Sequence, residues 1–207
     1  MRPPPTSATA AALVLAVDAG TADHAGAEHL LHRLDALLDG VAGLPGPSDL
    51  ASTHVVPGPV AHTAVVLSWD GQARRGEEAQ RLLAEALPDA GVVVAPTGSA
   101  TGPDDRVAGA DHALAEHEER RAGRLARFPG QAEVERRIAV ADVLTLSCVD
   151  AVEGLAGTEV GPGTMLDLTG FVRPTWRDRW CIVLVQASAG DLVPFESRHQ
   201  IPCCSDH

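Results

Sequence analysis

Ser52-Thr53-His54-Val55-Val56-Pro57-Gly58-Pro59-Val60-Ala61-His62-Thr63-Ala64-Val65-Val66-Leu67-Ser68-Trp69 reads as two strands in succession. Ser52 to Val56 and Val60 to Trp69 are rich in β-branched residues, and Pro57-Gly58-Pro59 between them is turn chemistry. Asp70-Gly71 closes the second strand. Upstream, Leu30, Leu31, Leu34, Leu37, Leu38 and Val41 recur at helical spacing between Ala25 and Val41. Before them, Leu13 to Val17 is a short continuous apolar run, the pattern of a buried strand. Downstream, Glu77 to Leu87 places Ala79, Leu82, Leu83, Ala86 and Leu87 on one helical face, and Val92 to Ala95 is another buried-strand run. The order is strand, helix, strand, strand, helix, strand. That is the order of a ferredoxin-like βαββαβ unit, although a doubly wound sheet produces the same local signals.

Beyond this half the pattern is less regular. Thr97 to Asp105 is a Gly/Pro/Ser/Asp loop, so an internal boundary is expected at 97–108 within a single α/β domain spanning 11–207. Two helices follow, Ala110 to Phe128 and Glu133 to Ala141. The first is heavily charged, with a thin stripe of Leu114, Leu125 and Phe128, and reads as a solvated face laced with i,i+4 pairs. The C-terminal part is strand-rich, with runs at Val143 to Val149, Thr164 to Val172 and Cys181 to Ala187, and is expected to extend the same sheet or cap it. Residues 1–10, with Pro3, Pro4 and Pro5, read as a disordered leader.

Composition removes several chemistries. The 207 residues contain no Lys, Asn or Tyr, so all 16 basic side chains are Arg. No lysine can form a Schiff base, hold pyridoxal phosphate or serve a P-loop, and no phenol can move a proton. Acid–base work falls to His, carboxylates, Cys or a metal. The formal charge of −12 disfavours nucleic acid and membrane surfaces as partners. The residue bias suggests a high-GC bacterial genome. Four Cys in a chain able to build a core point to a reducing cytoplasm rather than a disulfide framework.

Three segments could carry chemistry. The first is the end of the first strand, Asp18-Ala19-Gly20-Thr21, where ligands collect in open α/β sheets. Its bland reading is a turn whose Asp or Thr caps the next helix. Leu15 to Thr21 resembles the first phosphate motif of actin-like sugar kinases, but only over seven residues. A helix then stands where that family has a second hairpin strand, and no Asp-x-Gly-Gly motif follows, so the resemblance is not adopted.

The second segment runs from Asp167 to Trp180. It is expected to form a hairpin presenting Arg173, Trp176, Arg177, Asp178 and Trp180 to a small anion or to a protein partner, with Asp167 or Asp178 as acid, base or metal ligand. If both Trp fill a core, the same residues are merely structural. The third is the tail, where His199, Cys203, Cys204 and His207 are four metal-competent side chains in nine residues, suited to zinc or another divalent ion. His29 and His32, three apart on the first helix, read as a solvent-facing pair.

The leading expectation is a small soluble bacterial enzyme for a small anionic metabolite. Arg173 and Arg177 hold the anion, and Asp18, Asp167 or Asp178 move the proton. Two others stand beside it: an interaction or regulatory module, including a homodimer built on Trp176 and Trp180, and a metal-binding protein using the tail.

Overall fold

The computed structural model describes residues 11–188 and 190–196. Among them are five α-helices and twelve strands, a mixed α/β protein, and no helix is long and apolar enough to cross a membrane. The leader and the His/Cys tail lie outside the described residues. Residue contacts divide the chain into two compact units, residues 1–118 and 119–207.

In the first unit, β1 (Leu13–Thr21), α1 (His24–Leu38), β2 (Leu50–Val56), β3 (His62–Trp69), α2 (Gly76–Ala86) and β4 (Gly91–Ala95) follow one another. A short β5 (Ser99–Thr101) and α3 (Asp104–Glu119) complete it. The strands lie in the order β5-β4-β1-β3-β2, and every pairing is antiparallel. Thus β1 and β2 run parallel with β3 between them. The eighteen-residue stretch around Pro57-Gly58-Pro59 is the β2–β3 hairpin, with Val56 opposite His62 and Leu50 opposite Ser68.

Both faces of this sheet are covered, which is why its strands read as unbroken apolar runs. On one face, α1 and α2 pack through Ala27, Leu30, Leu31, Leu34, Leu38, Ala79 and Leu83, all buried. Their sheet partners are the odd-numbered Leu13, Leu15, Val17, Val65 and Leu67, with Trp69 donating its indole N–H to the Gly46 carbonyl at 3.0 Å. On the other face, Val14, Ala16, Ala64, Val66 and Val93 meet Ala110 and Ala113 of α3. The α3 stripe is Gly109, Ala110, Ala113 and His117. A stripe of small residues is invisible to a count of large apolar side chains, so the sequence reads as a solvated helix. It is instead the lid over half of the sheet.

The second unit contains β6 (Arg124–Arg127), α4 (Gln131–Val134), β7 (Arg137–Ala139), α5 (Val140–Leu146), β8 (Ala151–Gly154), β9 (Met165–Asp167), β10 (Thr175–Arg177), β11 (Trp180–Ser188) and β12 (Asp191–Pro194). Its strands follow the order β6-β10-β11-β12-β9-β7, with β8 parallel to β11. Four expectations are corrected here. The helix expected at Glu133 to Ala141 is interrupted, with strand β7 at Arg137–Ala139 between α4 and α5. The helix expected to run to Phe128 stops at Glu119, because Arg120 and Gly123 adopt left-handed backbone (φ 50° and 119°), and Arg124–Arg127 is strand. The run expected as a strand at Val143 to Val149 is largely helix α5, burying Val140 and Val143 one turn apart. Short apolar runs carry no periodicity that separates the two. The Thr164 to Val172 strand shrinks to Met165–Asp167, because Asp167 accepts from the Thr169 N–H at 3.1 Å and turns the chain.

Candidate functional site

The α3-facing side of the first sheet carries a row of polar groups among its small aliphatics. Alternation along the strands sets Asp18 of β1, Ser52 and His54 of β2, and His62 of β3 on this side. Helix α3 answers with Arg106, His112, Glu116 and His117, spaced so that they lie along its sheet-facing flank. The site residue read from sequence, Asp18, is therefore inside the fold rather than in an exposed turn. β1 continues through it to Thr21, with a register irregularity after Val17. Helix α1 is capped by Asp23, whose side chain accepts from the Gly26 N–H at 2.8 Å.

Asp18 is fully buried, and its carboxylate is spoken for on both oxygens. Oδ1 accepts from the Gly20 N–H at 2.8 Å and from Arg106 Nη1 at 3.4 Å. Oδ2 accepts from His62 Nε2 at 2.8 Å. A charge this deep needs such partners. Two glycines make room for them. A Cβ at Gly109 of α3 would overlap Asp18 Oδ2, and a Cβ at Gly20 (φ 67°) would strike the Arg106 guanidinium.

Above this triad opens a cavity of about 460 Å³. Its walls are the Pro57-Gly58-Pro59 turn with Val60 and His62, and the α3 residues Arg106, Gly109 and His112. The only acidic lining residue is Asp105, and its side chain is 79% exposed. With Nε2 of His62 bound to Asp18, its other ring nitrogen, Nδ1, lies 3.3 Å from the Val60 carbonyl. The site thus has a guanidinium, an oriented imidazole and a second imidazole, His112, around one opening.

Behind His112 lies a buried chain. His112 Nε2 is 3.7 Å from Glu116 Oε1, and His54 Nδ1 is 3.2 Å from Glu116 Oε2. His54 Nε2 shares a 2.8 Å hydrogen bond with Ser52 Oγ, which also lies 2.7 Å from His117 Nδ1. Serine, histidine and glutamate are joined here in the connectivity of a nucleophile, base and orienting acid. Both Ser52 and His54 are fully buried, so no substrate reaches the hydroxyl. Burial lowers the His54 pKa below its ordinary 6.5, opposed by the hydrogen bond and charge of Glu116. Its ring is a neutral member of a packed network.

The Asp167–Trp180 segment belongs to the second unit. β10 and β11 form a two-residue hairpin with Asp178 and Arg179 (φ 50° and 74°) at its tip. Trp176 is buried and lies under Arg120, 5.9 Å from ring centroid to guanidinium, whereas Trp180 is 58% exposed. Alternation turns Trp176 and Arg177 to opposite faces, so the hairpin does not present them together. Arg173 stacks on Phe171 at 4.4 Å and lies 3.7 Å from Glu135, and Arg177 is bound to Glu153. Asp167 is held low by the Thr169 hydroxyl at 2.5 Å and faces solvent. Among the described residues, no three His, Cys, Asp or Glu side chains gather as a metal site. His29 and His32 are both exposed.

Sequence reading passed over His62, Arg106, Gly109, Ser52 and His54. The histidines had a signal: 54 and 62 sit at in-register even positions of the same hairpin that fixes the strand order. Arg106 and Gly109 had none, because their role depends on α3 crossing the end of β1. The chain matches no family model, and neither the curated proteins nor the solved structures contain a significant match.

Proposed function

We propose that this chain is a small enzyme that binds a small anionic molecule in the cavity over Asp18 and moves a proton through His62. The observation that carries the reading is the Asp18–His62 pair, with Asp18 buried behind a cavity that His62 and Arg106 both line. Arg106 and His112 meet the anionic group, as guanidinium and imidazole donors do elsewhere. Asp18 fixes the His62 tautomer, and Nδ1 acts as base and then as acid. Relative to the sequence expectation, the anion-binding role passes from Arg173 and Arg177 to Arg106, because Arg106 lines the cavity beside His62. The antiparallel β4-β1-β3-β2 order with α1 and α2 on one face supports a ferredoxin-like framework for the first unit. The absence of Lys, Asn and Tyr and the free thiols of Cys148 and Cys181 support a cytoplasmic, high-GC bacterial setting.

The experiment is a turnover screen of small phosphate monoesters and carboxylates with wild type, His62→Gln and Arg106→Gln. The reading predicts a loss of about 10²–10⁴ in kcat for His62→Gln and a raised KM for Arg106→Gln. Any turnover that survives both substitutions unchanged contradicts it.

A second reading, an interaction module, is favoured by Trp180 alone, which projects from the hairpin while Trp176 is committed to the interior. Light scattering on Trp180→Ala tests it. An unchanged oligomeric state removes the homodimer version.

A further inference from the structure

Two cysteines that the cavity does not use stand side by side in the second unit. Cys181, near the start of β11, is 2% exposed, and Cys148, in the connection from α5 to β8, is partly exposed. Their sulfurs are 3.9 Å apart. The backbone around them is tied at three points. Asp150 N–H donates to the Cys181 carbonyl at 2.8 Å, and Cys181 N–H donates to Asp150 Oδ2 at 2.8 Å. Cys148 N–H donates to the Pro129 carbonyl at 3.1 Å. The backbone ties hold the two thiols as neighbours, and the sulfurs need to close by about 2 Å to reach bonding distance.

We propose that Cys148 and Cys181 form a reversible intramolecular disulfide on exposure to peroxide, with Cys148 as the attacking thiol and Cys181 as the resolving one. The roles are unequal by construction. The Cys181 hydrogen bond, helped by the Arg120 cation, lowers the Cys148 pKa. The same bond together with burial pushes Cys181 up, so it stays protonated. Peroxide reaches the partly exposed Cys148 before the buried Cys181. The Cys148 thiolate displaces hydroxide from hydrogen peroxide and becomes a sulfenic acid. The Cys181 sulfur then attacks that sulfenic sulfur as its proton and the hydroxyl leave together as water, giving the disulfide. One peroxide is reduced to two equivalents of water, counting the protonated hydroxide, and two thiols are oxidised. A small-molecule dithiol reverses the step by exchange.

The test uses the full chain with Cys203→Ser and Cys204→Ser, so that the tail thiols do not compete. After hydrogen peroxide, intact mass is expected to fall by about 2 Da, with the tryptic peptides carrying Cys148 and Cys181 linked and separated again by dithiothreitol. The link is expected to raise Tm by roughly 5–10 °C. In the same background, Cys181→Ser is expected to accumulate a dimedone-reactive sulfenic acid at Cys148, and Cys148→Ser to give none at Cys181. The proposal is overturned if the mass does not fall while peroxide adds oxygen to Cys148. It is equally overturned if dimedone labels neither thiol, or if only intermolecular dimers form.

Discussion

The two faces of the first sheet are built on opposite principles. Toward α1 and α2 the sheet presents Leu, Val and Trp69, met by a leucine stripe whose members are 0–6% exposed. Toward α3 it presents Val and Ala, and the small side chains of Gly109, Ala110 and Ala113 leave room for Asp18, Ser52, His54 and His62. The first face stabilises by area removed from water. The second gives up part of that area and must satisfy each buried polar atom with a partner. A face of that kind is costly to keep, and it is where the only strongly oriented histidine beside a cavity occurs among the described residues of this unit. The difference teaches where to look: the sheet face with the smaller side chains is the one that gathers the buried polar groups.

Substitutions can separate the two faces. The largest effect is expected on the leucine side. Leu34 is fully buried in α1, so Leu34→Ala should cost about 2–5 kcal/mol of stability. Urea denaturation would show it, with anion binding at the cavity unchanged below the transition. On the α3 side, Gly109→Ala should cost less, about 1–3 kcal/mol, yet abolish anion binding, because its Cβ displaces the Asp18 carboxylate. Calorimetric titration with inorganic phosphate checks that reversal of rank. If Leu34→Ala impairs binding more than Gly109→Ala does, the division of labour fails.

A third effect is a pH dependence. His54 has its folded pKa below the unfolded 6.5, so the unfolded chain takes up the proton first. Stability is then full above the unfolded pKa and is lost as pH falls from about 6.5 through the folded value, with a limiting slope of about 1.4 kcal/mol per pH unit. Replacing the ring by His54→Gln should flatten that part of the stability–pH curve measured between pH 7 and 5. An unchanged slope would mean that His54 is not the neutral buried group described. The smallest effect belongs to neither face. Arg81 and Glu85 form an i,i+4 pair 3.6 Å apart and about 70% exposed, so Arg81→Ala should change stability by no more than about 0.5 kcal/mol.

Much of the first unit was legible in the sequence, because its strands and helices alternate with clear turn chemistry. The two adjacent strands around Pro57-Gly58-Pro59, the leucine periodicity of α1 and the Val92 to Ala95 run each mark one element, and each forms. The second unit was less legible. Its strands are three or four residues long, except for β11, and their limits are set by Asp167 folding onto Thr169 and by Arg120 adopting left-handed backbone. Asp18 could be picked because it breaks the apolar run Leu13 to Val17, although β1 continues through it. Its partners could not, since His62 lies 44 residues away and Arg106 88 away, and only the crossing of α3 brings them to one carboxylate. Local pattern reports which residues share a face of one element; it does not report which two faces meet.

The most direct test of the cavity follows the histidine ring resonances by NMR during titration with inorganic phosphate and, in parallel, acetate. The account predicts that His62 and His112 move together and saturably with at least one of the two anions, and that Arg106→Gln abolishes the response while leaving the other histidines in place. If neither anion moves His62, or if the same saturable shift persists in Arg106→Gln, the cavity over Asp18 is not an anion site and the proposed chemistry falls with it.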